Sequence, residues 1–330
     1  MSSYFKIKSV TDIKSLKEGD KLYDSDFSLL TTDDKFVQWE YVDEDSTQVQ
    51  SYPVKSGIYT ISLVNNAMAL KQSGFTEQKV LEDYISTKEI VDKINTFFSK
   101  IDVYKQYGMD PKRGILLYGN PGCGKSQTIS KICNEYAKND DTLIVVWPSD
   151  KFEAKHVKDF IKRFDYATNK ISKLLLIIED LGGVENADGP RRYSESSLLS
   201  LLDNVEKTFT IPTMILATTN YPQNFLENLI NRPQRFDDVI EVKRPSAEFR
   251  AKFLEFFTSG NAPDSAKAQI KDKKYDSFSV AHVKEVVIRA ALYDISMEEA
   301  MLQLHAQSNR ADKGFTNAKS MGIGFGGSNE

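Results

Sequence analysis

Cysteine is nearly absent from this chain: two residues in 330, Cys123 and Cys133. That excludes a disulfide framework and fits a reducing compartment. The three histidines, His156, His282 and His305, stand at no metal-ligand spacing, so no structural zinc is expected. No apolar run approaches the roughly eighteen residues of a membrane span. Met1 to Val10 mixes lysines with apolar residues and has no signal-peptide core, so the expected location is cytoplasmic, with no membrane partner. An excess of basic charge is missing too: 43 Lys and Arg stand against 47 Asp and Glu, for a formal net charge of −4. A surface given over wholly to nucleic acid or anionic lipid is thereby excluded, although a local patch is not.

Apolar residues, by contrast, make up 40% of the chain, enough for a real core, and the length suggests about two domains. The stretch that organises the rest is Gly119-Asn120-Pro121-Gly122-Cys123-Gly124-Lys125-Ser126, which matches GxxxxGKS and follows the apolar run Ile115-Leu116-Leu117-Tyr118. Helical spacing follows at Ile129, Ile132, Cys133 and Tyr136. Strand, loop and helix in that order form a phosphate cradle whose glycines let backbone amides converge on phosphate oxygens. The helix dipole faces the anion, Lys125 reaches the β- and γ-phosphates, and Ser126 offers an oxygen to Mg²⁺. A nucleoside triphosphate with Mg²⁺ is the expected ligand, held by residues 119–126 and the adjoining Gln127; that the nucleotide is ATP is what the family resemblance below implies.

Before this stretch the pattern differs. Val37, Trp39 and Tyr41, and later Tyr59, Ile61 and Leu63, alternate with polar residues, which predicts half-buried strands and a β-rich N-terminal domain over residues 1–76. No motif states its role: it is either an accessory fold or a recognition module. From Thr87, a plausible N-cap, Ile90, Ile94, Phe97, Phe98 and Ile101 fall at helical spacing, and Gly108 and Pro111 end that linker segment at residues 77–110. Beyond the phosphate loop, strands at Leu143 to Trp147, Leu174 to Ile178 and Thr213 to Thr218 alternate with helical patterns. Such alternation predicts an α/β fold, a parallel sheet covered by helices on both faces with nucleotide at the strands' carboxyl ends. After Pro245 only helical spacings occur, as at Phe249, Phe253, Phe256 and Phe257, and at Val283, Val286, Val287 and Ala290. The glycine-rich stretch from about Asn309 is expected to be a flexible tail.

Hydrolysis of a phosphoanhydride needs one carboxylate at the metal and another at the water. Glu179-Asp180, directly after the apolar strand Leu175-Leu176-Ile177-Ile178, supplies that pair. Asn220, ending the strand Ala217-Thr218-Thr219, is placed to hold the attacking water or touch the γ-phosphate. Arg232 and Arg235, three residues apart in Arg232-Pro233-Gln234-Arg235-Phe236-Asp237, suit a phosphate across a subunit boundary; surface salt bridging is the alternative.

Together, Pro111 to Ser126, Leu202-Asp203, Ala217 to Pro222 and Asn231 to Asp237 resemble the AAA ATPase family with its second region of homology, within the AAA+ superfamily. The resemblance runs from about residue 88 to residue 300. It implies a P-loop NTPase core at residues 111–245, a small helical lid domain at 246–308 and a homo-oligomeric ring, usually a hexamer; the N-terminal domain and the tail at 309–330 lie outside it. It also implies that Asn220 is the sensor, that Arg232 and Arg235 are fingers from a neighbouring subunit, and that Ala281, within Phe278 to His282, lies on the adenine side.

Most members of the family have Asp then Glu at the acidic pair. The order Glu179 then Asp180 resembles the mitochondrial inner-membrane translocase subgroup that handles the Rieske protein, though this chain shows no membrane span of that kind. By position Glu179 serves Mg²⁺ with Ser126, and Asp180 serves the water. Asp180 is one methylene shorter than Glu, so the water must sit closer or the backbone must shift. Phe152, in Lys151-Phe152-Glu153, occupies the place of the family's pore aromatic, with partial core packing as the alternative.

The expected function is an oligomeric Mg-ATP-dependent ATPase that remodels, unfolds or threads a protein partner, chosen through the N-terminal domain. The alternatives are a nucleic-acid machine component of helicase or clamp-loader type, which the acidic pI counts against, and a nucleotide-gated scaffold with slow hydrolysis.

Overall fold

The structure, a computed structural model, describes residues 27–30, 36–38, 54–64, 67–75, 81, 84–85, 87–147, 154–164, 166, 170–181, 202, 209–221 and 236–320. The chain divides into two compact units, residues 1–119 with 125–242, and residues 120–124 with 243–330.

The first unit is built on one sheet. Its strands are β1 (Phe27–Leu30), β2 (Phe36–Gln38), β3 (Gly57–Val64), β4 (Ala67–Gln72), β5 (Lys112–Tyr118), β6 (Thr142–Trp147), β7 (Lys173–Ile178), β8 (Thr213–Thr219) and β9 (Asp238–Glu241), in the spatial order β2-β1-β4-β3-β6-β7-β8-β5-β9. From β3 to β9 every neighbouring pair is parallel. Strands β5 to β8 read as near-continuous apolar runs because both faces are covered, and all seven residues of β8 are buried. The helices of this unit are α1 (Thr87–Ser99), α2 (Ile101–Gln106), α3 (Lys125–Tyr136) and α4 (Ala154–Arg163). Val157, Phe160 and Ile161 of α4 are fully buried, and Phe160 meets Trp147 of β6 edge-on at 6.5 Å between ring centroids. This is the α/β P-loop NTPase fold.

Three elements differ from what the pattern predicts. The alternating residues at 59–63 do form a strand, β3, but it pairs in parallel with β6, matching Tyr59 to Val145 and Thr60 to Val146. Ile61 and Leu70 are buried in the same apolar cluster as Trp147 and Phe160, so the β-rich segment is not set off from the core at residue 76. Period-two alternation reveals a half-buried strand but not its partner, which here lies more than eighty residues along the chain. The predicted helix from Thr87 breaks at Lys100, whose φ of −117° and ψ of 30° are not helical. There the Ser99 hydroxyl donates to the Thr96 carbonyl at 3.0 Å, competing with the backbone ladder. Strand β9, finally, is added beside β5, with Leu116 opposite Val239 and Leu117 opposite Ile240.

The second unit is helical: α5 (Ala247–Phe257), α6 (Asp264–Gln269), a 3₁₀ turn at Lys273–Tyr275, α7 (Val280–Tyr293) and α8 (Met297–Ser320). Its interior holds Phe253, Leu254, Tyr275, Phe278, Val283, Val286 and Met301. Arg250, 1% exposed, threads through this interior. It donates to the carbonyls of Ile270 (2.9 Å) and Pro245 (3.2 Å) and to Asp276 Oδ1 (2.9 Å). At the start of α7, Ser279 and His282 form a capping box, with the Ser279 N–H donating to His282 Nδ1 at 3.2 Å. Residues 309–320, expected as the start of a flexible tail, continue α8 instead. A lack of apolar residues argues against burial, but Arg310, Ala311, Lys313, Ala318 and Lys319 are good helix formers. No helix among the described residues is long and apolar enough to cross a membrane.

Candidate nucleotide site

The order of the sheet puts the candidate residues together. The chain leaves β5 for β6, which lies beyond β8 and β7 in the sheet, while β8 and β9 return to flank β5, which makes the carboxyl end of β5 a topological switch point. Gly119 follows β5, Glu179 and Asp180 follow β7, and Asn220 follows β8, three strands adjacent in the sheet. The Gly119 N–H donates to the Thr219 carbonyl at 3.3 Å, which ties the start of the loop to β8.

Two loop glycines are required sterically. Gly119 has φ +144°, and a Cβ there would stand 2.2 Å from the Val242 carbonyl oxygen. Gly122 has φ +74°, and its Cβ would meet Ser279 Oγ at 2.7 Å and Ala281 Cβ at 3.0 Å. The Ala281 N–H donates to the Gly122 carbonyl at 3.0 Å, so Ala281 is brought to the tip of the loop. Lys125, 6% exposed, opens α3, and its Nζ donates to the Gly119 carbonyl at 2.7 Å. Asn120, Pro121 and Ser126 are exposed and Gln127 is half-buried, while Cys123 is fully buried, with its Sγ 3.9 Å from the Pro121 carbonyl.

The acidic pair occupies two different environments. The Ser126 hydroxyl hydrogen-bonds the Glu179 carboxyl, whose Oε1 is nevertheless buried with no hydrogen-bond partner. Burial raises the pKa of Glu179, the Ser126 bond works against that rise, and the neighbouring Asp180 charge adds to it. An unpaired, desolvated carboxylate oxygen beside a hydroxyl is a donor set for a hard oxygen-seeking cation, so the residues present fit Mg²⁺. Asp180, by contrast, is satisfied: its Oδ1 accepts from Asn220 Nδ2 at 2.7 Å, and its backbone N–H donates to Thr218 Oγ1 at 2.9 Å. Its φ is +54°, in the left-handed region. Cys133 of α3 lies close enough to Glu179 to feel its charge, which together with burial pushes the thiol pKa up.

Arg232, Arg235 and Phe152 lie outside the described residues, as does Asp203. Thr218 and Thr219 were legible as part of a strand but not as site residues. Each hydroxyl is committed to the loop after β7, since Thr219 Oγ1 donates to the Leu181 carbonyl at 2.7 Å. Two threonines at the carboxyl end of an otherwise apolar buried strand were the available signal.

Phosphate loop, acidic pair and polar strand end thus stand together at the carboxyl ends of adjacent parallel strands. More closely, residues 115–244 match the family model described as ATPase family associated with various cellular activities (AAA). The chain is also similar to proteins named proteasome-activating nucleotidase. That of Saccharolobus islandicus is 25% identical over 256 residues, covering 68% of this chain and 65% of the relative. That of Sulfurisphaera tokodaii is 27% identical, covering 68% and 64%, and that of Methanothermobacter thermautotrophicus 26% identical, covering 74% and 60%. The chain thus spans under two thirds of the length of these curated relatives.

Proposed function

We propose that this chain is a cytoplasmic, Mg-ATP-dependent ATPase that works as a homo-oligomeric ring, of the hexameric kind, and couples hydrolysis to remodelling, unfolding or threading of a protein partner. The observation that carries the reading is the Glu179 carboxyl, unpaired at Oε1 and bonded to Ser126, beside an Asp180 held by Asn220. One carboxylate is prepared for a cation and the other for a water. The name of the relatives, activators of a proteolytic machine, supports a protein as the partner. The Glu-then-Asp order supports a finer kinship with the translocase subgroup that handles the Rieske protein.

In this mechanism the loop amides and Lys125 bind the phosphates, and Ser126 and Glu179 hold Mg²⁺. The metal, when bound, neutralises charge developing on the transferred phosphoryl group. Asp180 accepts the proton of the attacking water, and Asn220 fixes the orientation of that carboxylate. The helical unit acts as the lid, with Ala281 on the adenine side, and Phe152 lines the pore. Arg232 and Arg235 reach the nucleotide of a neighbouring subunit, where such a residue contributes about 10³ to 10⁵ in rate.

The test is ATPase rate against protein concentration, for wild type and for Arg235→Ala mixed with it in varying ratio. The reading expects a specific rate that rises steeply with concentration and is poisoned by the mutant. A flat specific activity, indifferent to the mutant, overturns the ring. The second reading, a nucleotide-gated scaffold, is favoured by the engagement of Asp180 with Asn220 and expects assembly on ATP with little turnover.

A further inference from the structure

Asp180 stands in the left-handed region, at φ +54°, which few residues other than glycine adopt. Aspartate and asparagine are the exceptions, because a short polar side chain finds local partners there. Four hydrogen bonds from the end of β8 hold this turn. Thr218 Oγ1 accepts the Asp180 N–H (2.9 Å), and the Thr218 carbonyl accepts the Leu181 N–H (2.7 Å). Thr219 Oγ1 donates to the Leu181 carbonyl (2.7 Å), and Asn220 Nδ2 donates to the Asp180 carboxylate (2.7 Å). Thr218 is 3% exposed and Thr219 is fully buried, so neither hydroxyl has water as a ready substitute partner.

We infer that Thr218 is a positioning residue for Asp180, and that aspartate suits position 180 because the backbone there is clamped left-handed. The inference rests on the ATPase reading and deepens it. With an extended backbone after β7, a longer acid would be needed to reach forward. With the left-handed turn the carboxylate is swung onto Asn220, and a further methylene would carry it past that partner. Thr218 takes no part in contacting nucleotide; its hydroxyl fixes the peptide that aims the acid.

The experiment measures ATP turnover against ATP concentration at saturating Mg²⁺ in the full chain, for Thr218→Val, Thr218→Ser, Asp180→Glu and the double variant Thr218→Val/Asp180→Glu, with thermal melts alongside. Thr218→Val is expected to lower kcat by about 10- to 100-fold, the scale of a small misplacement of a reacting group, with KM for ATP within about 2-fold. Thr218→Ser, which keeps the hydroxyl, restores most of kcat. Asp180→Glu lowers kcat in the wild-type background, and less so in the Thr218→Val background, a coupling that independent sites would not show. Asp180→Glu at or above wild-type turnover overturns the inference, as does a Thr218→Val defect that serine fails to rescue. Wild-type protein without ATP turnover, or a rate undiminished in Lys125→Ala, overturns the ATPase reading itself and the inference with it.

Discussion

A carboxylate buried with one oxygen unpaired destabilises the ligand-free fold and favours a bound cation, and Glu179 is in that position. Replacing it by glutamine removes the charge at nearly constant shape. Glu179→Gln is therefore expected to raise the melting temperature of the nucleotide- and magnesium-free protein, while lowering ATP turnover by about 10²-fold or more. Calorimetry beside a coupled ATPase assay checks both, and a lowered melting temperature would show that the charge is stabilised by something else. Cys123 makes a different point. Position inside a phosphate loop suggests a reactive thiol, but the side chain is fully buried, so maleimide should label the native protein slowly and the urea-unfolded protein at once. At this scale what was legible is placement: Lys125 and Ser126 open the helix after the loop that follows β5, and Glu179 and Asp180 directly follow β7. A role that depends on which strand lies next door was not legible. Thr218 serves the site only because β8 is the neighbour of β7.

Among the elements, α7 carries a pH-sensitive cap. His282 Nδ1 accepts the Ser279 N–H, which requires the neutral ring, and burial together with the nearby Arg244 holds the His282 pKa below its ordinary value. A histidine depressed in the folded state binds fewer protons there than in the unfolded chain. Its destabilising effect is thus absent above the unfolded value, about 6.5, and grows as pH falls below it. Glutamine at this position keeps a capping-box acceptor without a titrating group. His282→Gln is expected to flatten the loss of stability between about pH 6.5 and pH 5, measured by urea unfolding; an unchanged slope would assign that loss to other groups. Arg250 sets the larger scale in this unit. Arg250→Ala leaves the Ile270 and Pro245 carbonyls without their donor, while the largely exposed Asp276 loses a partner that water can replace, for an expected loss of about 2 to 4 kcal/mol. Helix periods in this unit were legible because its contacts are local. The run of α8 through Ser320 was not, since composition speaks to burial rather than to helical continuation.

For the whole molecule, the consequence lies at the amino-terminal side of the sheet. Residues 1–76 read as a separable module when only their alternation is considered, but β3 is the parallel neighbour of β6, and Val54, Tyr59, Ile61 and Leu70 are buried in the cluster that holds Trp147. A pairing so distant in sequence leaves no local trace, which is why the P-loop sheet was legible from β5 to β8 and its extension through β3 was not. Removing residues 1–76 would strip from the core, among the described residues, the buried side chains Val54, Ile58, Tyr59, Ile61 and Leu70, each contributing about 1.5 to 3 kcal/mol, and expose the edge of β6. The sum rivals the whole stability of an ordinary domain, about 5 to 15 kcal/mol. A 77–330 fragment is therefore expected to aggregate or to melt without a cooperative transition, whereas a 54–330 fragment, which keeps β3 and β4, should fold with a lowered melting temperature. Soluble yield and calorimetry on both decide the matter. A soluble 77–330 fragment with the melting temperature of the full chain would mean that β3 is a docked strand dispensable to the core, and that the module boundary lies at residue 76 after all.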